Sequence, residues 1–256
     1  MAGCILNDWD VVYYLRDVKE AMVEAWQEVF DDYSESVRVS QGDLFEGAPA
    51  ADAVVSTGNS FGFMDGSVDG ACKEFFGAQI QRCLQKIIRE DYDGELLVGQ
   101  AVVMPTYGEE GKDASKKEKA IKYLISAPTV RVPADVSSTA NAYLAFRAVI
   151  LAVRRHNKMN GCEPIKSVLV PGLAARTGGM PELRCAWQML QAYETFALDK
   201  HAARRRPDSL TEMSGDHLKL CQWEKQVKPS RGARIVNTLF QLFGINFSSS
   251  PKRKEQ

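Results

Sequence analysis

Short apolar runs and stretches with helical spacing alternate along most of this chain. Ile5-Leu6 is a short strand candidate, and Leu15, Val18, Met22, Ala25, Trp26, Val29 and Phe30 then fall on one stripe of an amphipathic helix. Residues 37–40 alternate and predict a strand that ends at Gly42-Asp43. Residues 53–55, all apolar, predict a buried strand running into Thr57-Gly58-Asn59. Val68, Cys72, Phe75, Phe76, Ile80, Leu84 and Ile88 predict a long helix broken at Gly77. Residues 101–104 and 123–125 read as two more buried strands, with a charged, exposed loop over 108–119 between them. Ala140, Tyr143, Leu144, Ile150 and Leu151 predict a helix, and residues 168–170 a strand closed by Pro171. Pro181 and Glu182 suit a helix start, and the stripe behind them is Leu183, Ala186, Trp187, Leu190 and Tyr193.

Strands that are continuously apolar and alternate with helices imply a sheet covered on both faces. Ligands of such sheets bind outside the carboxyl ends of the strands. Three strand ends here carry unusual loops, Gly42-Asp43, residues 59–70 and residues 171–181, and they are expected to gather on one rim. No clear strand follows Phe196.

Composition narrows the class. The chain has 256 residues, 45% of them hydrophobic and 25% charged, which suits one α/β domain with an appendage and excludes a wholly disordered or collagen-like chain. No apolar run reaches the roughly 20 residues that cross a bilayer, and the N-terminus lacks the pattern of a signal peptide. The six cysteines form no C-x-x-C pair, so neither a disulfide scaffold nor a zinc site is expected. The expected setting is intracellular, cytoplasmic or nuclear, with no metal and no cofactor.

Charge divides the chain. Residues 1–200 carry 28 acidic and 21 basic side chains, whereas residues 201–256 carry 5 and 11. A body over 1–200 and a basic tail over 201–256, partly disordered or packed on the body, follow from that break. The tail opens with Arg204-Arg205-Arg206, holds an apolar cluster over 235–247 and closes with a basic run over 252–254. Nucleic acid contact is expected, if at all, only through this tail.

The two longer loops have a shared chemistry. Residues 58–70 and 176–181 each pass through glycines to a helix start, where unpaired amides and the helix dipole receive an anion. Two such starts on one rim suit a diphosphate. Neither is a Walker loop or a G-x-G-x-x-G fingerprint. Residues 51–59, Ala-Asp-Ala-Val-Val-Ser-Thr-Gly-Asn, with Val68-Asp69-Gly70-Ala71 further on, resemble the ADP-ribose-binding loop of the macrodomain family. Gln41-Gly42-Asp43-Leu44 is similar to that family's G-D-I strand end. Pro171-Gly172-Leu173 with Gly178-Gly179-Met180-Pro181 is similar to its second phosphate loop. The likeness runs from about Val37 to Phe196, and the string Asn-Ser-Phe-Gly-Phe-Met-Asp-Gly over 59–66 also looks like a bacterial and phage macrodomain-like branch.

The resemblance implies a three-layer α/β/α fold with a mixed sheet, and it implies roles. Asp43 would accept from the adenine amino group, with the Leu44 backbone at the ring edge; a plain turn residue is the equal alternative. The amides of Gly66, Ser67 and Val68, and those of Thr177, Gly178, Gly179 and Met180, would hold the diphosphate. Asn59 would bind the distal ribose, against the alternative of a left-handed turn residue. Asp69 would place a hydrolytic water, although a carboxylate at a helix start is held in its charged form and reads first as an N-cap.

Departures from the family pattern are Ser56 for an asparagine, Lys73 for a histidine and Arg176 for a glycine. Lys73 faces water or attracts phosphate; Arg176 closes over a phosphate or obstructs the cleft. The functions implied are ADP-ribose binding, free or on protein, and hydrolysis of the ADP-ribosyl–acceptor bond, or of ADP-ribose phosphate. The alternative is a non-catalytic scaffold acting through the basic tail.

Overall fold

The structure is a computed structural model and describes residues 11–106 and 121–224. Six strands form one sheet: β1 (Val12–Asp17), β2 (Val37–Gln41), β3 (Ala53–Ser56), β4 (Val102–Pro105), β5 (Tyr123–Ser126) and β6 (Ser167–Val170). Their order is β2-β1-β6-β3-β5-β4. Five run parallel, so their carboxyl ends share one rim, and only β4 at the edge pairs antiparallel, with β5.

Alternation along each central strand divides the core. Tyr13, Leu15, Ala53, Val55, Ile125, Val168 and Val170 face one side. There they meet α1 (Glu20–Val29), α4 (Asn141–Asn157) and α5 (Glu182–Phe196) through Trp26, Phe146 and Met189. Val54, Leu124 and Leu169 face the other side, against α2 (Ser67–Phe76) and α3 (Gln79–Asp91) through Cys72, Leu84 and Ile88. Apolar side chains thus leave water on both faces, at about 25 cal/mol per Å². The result is the sheet covered on both faces that the pattern predicts, in the three-layer α/β/α arrangement with a mixed sheet that the resemblance implies. Gly77, at φ +95°, ends α2 and admits the turn into α3, the break expected there.

The N-terminal reading needs correction. Leu15 lies in β1, not on the first helix, which begins only at Glu20, and Val18 is exposed in the turn between them. Val11-Val12-Tyr13-Tyr14 is an unbroken run of β-branched and aromatic residues, which favours a strand there; in the sheet β1 lies between β2 and β6. The Ile5-Leu6 strand, the 108–119 loop and the 235–254 segment lie outside the described residues.

One compact unit extends to Trp223 and a second begins at Glu224. Within the first, α6 (Ala202–Arg205) and α7 (Leu210–Gln222) follow α5 beyond the break expected at residue 200. Leu220 and Cys221 are buried in the core beside α5, and Trp187 stacks on Trp223 at 5.0 Å. No strand follows α5 among the described residues. No described helix is long and apolar enough to cross a membrane.

Candidate functional site

A cavity of about 390 Å³ opens at the carboxyl rim, walled by residues of three segments, 57–69 after β3, 129–133 after β5 and 172–178 after β6. Its volume falls among those of small-molecule sites, roughly 300–1,000 Å³. The 57–69 segment is shaped by Asn59. Its Oδ1 accepts from the amides of Phe61 (3.1 Å) and Phe63 (3.3 Å), and its Nδ2 donates to the Phe63 carbonyl (2.8 Å). Lys73 fastens the far side of the same loop. It donates to Asp65 at 2.6 Å and to Gln81, whose Oε1 also accepts from the Met64 amide. Lys73 is therefore an ion-paired brace, not a cation facing only water.

The segment then delivers the chain to α2, with Gly66 as N-cap. The amides of Gly66 and Val68 have no protein acceptor among the described residues, as expected for the first turn of a helix. Across the cavity, the β6 loop is closed on itself. Gly179 N donates to Arg176 O and Met180 N to Ala174 O, both at 3.0 Å, and Val136 N donates to Gly178 O at 2.8 Å. The amides of Thr177 and Gly178 are among those of this loop with no partner among the described residues, and both residues line the cavity.

Asp69 is a buried residue of the cavity floor. Its carboxylate accepts from Ser56 Oγ at 2.5 Å and from the Thr57 backbone, and a Cβ on Gly58 would stand 2.5 Å from its Oδ2. Burial pushes this carboxyl above the usual carboxylate range, against the lowering effect of the Ser56 and Thr57 hydrogen bonds. Both expectations for Asp69 as a cap are thus corrected. Gly66 holds the cap position, and Asp69 is the third helical residue with its side chain turned into the protein. The physical reason is that its carboxylate is desolvated against β3 instead of meeting the free amides of the helix start.

Arg176 lies along the cavity wall without filling it. Its Nη2 donates to Asp17 Oδ1 at 3.0 Å. Asp17, 3% exposed at the end of β1, also accepts from Lys19 N at 3.0 Å and from Gly172 N at 3.2 Å.

The family model described as Macro-like domain matches residues 17–205. The chain belongs to that family. An uncharacterised protein of Aquifex aeolicus (strain VF5) is 29% identical over 161 residues, 62% of this chain and 82% of that one. Among solved structures, the macrodomain of Mycobacterium tuberculosis DarG is 22% identical, with 61% of this chain and 88% of that one covered and a TM-score of 0.46. The Oceanobacillus iheyensis macrodomain with ADP is 17% identical, with coverages of 62% and 75% and a TM-score of 0.48. Thermosipho africanus DarTG in complex with ADP-ribose is 19% identical, with coverages of 61% and 38% and a TM-score of 0.44.

In this macro-like domain the cavity collects Asn59, Gly66, Val68, Asp69, Arg176, Thr177 and Gly178 of the residues singled out in the sequence. Asn59 has no positive φ, so it is not a left-handed turn residue. Gly179 and Met180 do not line the cavity, because their amides close the loop. Asp43 and Leu44 also stand outside it. Asp43 Oδ1 accepts from the amides of Glu46 and Phe45, which hold its carboxyl below the usual range, and the Leu44 side chain is buried in the α2–α3 core.

Two contributors escaped the sequence reading. The β5 loop supplies Thr129, Val130, Val132 and Pro133, and Arg131 holds it against the β3 loop by lying 5.2 Å over the Phe61 ring while pairing with Glu95. The other is Asp17. Asp17 ends one parallel strand and the other segment follows another, so the strand-end rule would have found both had β1 been read as a strand and the end of β5 counted among the rim loops.

Proposed function

We propose that this macro-like domain binds ADP-ribose, free or attached to protein, with the diphosphate between the two loops. The observation that carries the reading is the pair of amide sets without a partner among the described residues, Gly66 and Val68 on one wall and Thr177 and Gly178 on the other, with Arg176 beside the second. Backbone amides at a helix start and a guanidinium are the donors that a diphosphate needs. Family membership and the loop sequences support the same ligand. The distal ribose then lies toward Asn59, which fixes the loop through its own amide and keeps one N–H for a ribose hydroxyl. Adenine recognition falls to the exposed Asp43, which stays ionised, and to the Leu44 backbone.

Hydrolysis of the ADP-ribosyl–acceptor bond is the second part of the proposal. A carboxyl raised by burial beneath the ribose end is a better proton acceptor than a surface carboxylate, and Asp69 is such a group. Calorimetric titration with ADP-ribose, with AMP as control, tests binding. Heat with ADP-ribose and little with AMP is expected; folded protein that gives none with ADP-ribose ends the proposal. Release of ADP-ribose from carboxylate-linked and serine-linked substrates, lost in Asp69→Ala and reduced in Asn59→Ala, tests the reaction. If the wild type releases nothing, the domain is a reader only.

A further inference from the structure

β1 ends in a charged dipeptide whose two side chains serve the loops on either side of it. Arg16 is buried and donates from Nε to Asp43 O at 2.6 Å, and from its terminal nitrogens to Ser40 Oγ and to the carbonyls of Glu46 and Gly47. It builds the loop after β2. Asp17 points to the opposite face and serves the loop after β6. It accepts from the Gly172 amide and from Arg176, 159 residues away in sequence. Because β1 pairs with both β2 and β6, one strand end reaches both loops.

The Asp17–Arg176 pair is half-formed from the ligand's point of view. Asp17 takes Nη2 only, and Nε and Nη1 of Arg176 have no acceptor among the described residues. The Arg176 side chain is 38% exposed, while its partner is buried. A long side chain loses rotamer entropy when it is fixed. Here that loss is met on folding, before any anion arrives. The planar fork keeps two edges for phosphate oxygens while the third nitrogen stays anchored.

We propose that Asp17, outside the cavity, is the positioning residue that presents Arg176 to the diphosphate. The inference rests on the ADP-ribose reading and deepens it, since it makes the anchored guanidinium, in addition to the backbone amides, the source of diphosphate selectivity.

The test is a double-mutant cycle on the full chain, with ADP-ribose affinity measured for wild type, Asp17→Asn, Arg176→Ala and both together. Asparagine keeps one acceptor oxygen for the backbone amides but gives up the charge that holds the guanidinium. Each single change is expected to weaken binding about tenfold, and the double variant to bind as Arg176→Ala does alone. Asp17→Asn at wild-type affinity overturns the proposal, and so does a further full loss when it is added to Arg176→Ala, which marks a role through Gly172 and Lys19 instead. Should Asp17→Asn fail to fold, the Nε–H signal of Arg176 in the wild type decides. A single ordered resonance before ligand is expected; rapid averaging overturns the idea. Inorganic pyrophosphate is the second probe. A wild type that binds pyrophosphate but not ADP-ribose removes the functional reading and leaves the cycle to be run with pyrophosphate; a wild type that binds neither removes both.

Discussion

Asp69 owes its chemistry to a neighbour without a side chain. Gly58 lets the loop pass directly over the carboxylate, and a methyl group there would collide with Oδ2. Gly58→Ala is therefore expected to displace Asp69, to cost about 1–3 kcal/mol by overpacking and to weaken ligand binding, read by denaturant melts and calorimetry. The raised carboxyl also fixes a sign. A folded-state pKa above the unfolded one means that the native protein binds the extra proton, so the group's contribution is full below the unfolded value, about 3.9, and is lost as pH rises through the folded one. Asp69→Asn should flatten this part of the stability profile, with the difference from wild type moving in the variant's favour as pH rises from about 4. Melting temperatures across that range check it; parallel profiles would contradict it. Asn59 and Arg176 stood out in the sequence by residue type, glycine-flanked in one case and out of pattern in the other. Asp69 stood out as well, but its burial did not, because burial depends on β3 lying behind it.

The β6 loop is an element defined by its internal bonds. Gly178 has room for no side chain, since a Cβ would approach the Ala174 carbonyl to 2.6 Å and Val136 Cγ2 to 2.7 Å. Gly178→Ala should open the turn that presents the Thr177 and Gly178 amides, lowering ADP-ribose affinity by about tenfold or more while the far-UV spectrum is kept. The loop is braced from behind by α5. Gln188 Nε2 donates to Thr139 O and Leu220 O at 2.7 Å each, and Arg184 donates to Ser137 O and Trp223 O. The 136–139 segment so held is the one whose Val136 amide meets Gly178 O. Helical spacing made α5 legible as an amphipathic helix, yet Gln188 is wholly buried and its partners come from two other parts of the chain. A buried amide of this kind pairs with backbone that only the assembled fold supplies.

For the molecule as a whole, the break in charge at residue 200 does not coincide with the end of the compact unit at Trp223. A chain ending at Lys200 loses Leu220, Cys221 and the Trp223 ring from the α5 side and deprives buried Gln188 of its Leu220 acceptor. Against a chain ending at Glu224 it is expected to lose on the order of 3 kcal/mol, which is a fall of roughly 10 °C in melting temperature for a domain of this size, and to bind ADP-ribose more weakly. Equal melting temperatures would show that α7 contributes nothing to the body. The first part of the tail packs on the body, one of the two states expected of it: Glu212 and Lys219 of α7 are exposed and Asp216 pairs with Arg204, while Leu220 and Cys221 complete the core. The sequence by itself determined the layers and the loop chemistry, since strand alternation, helical spacing and glycine at the turns are local properties. The tertiary structure decided that β1 lies between β2 and β6, that Asp17 meets Arg176, and that Asp69 is desolvated. Each of these is a contact between distant segments, set by which strand pairs with which and not by any residue's immediate neighbours.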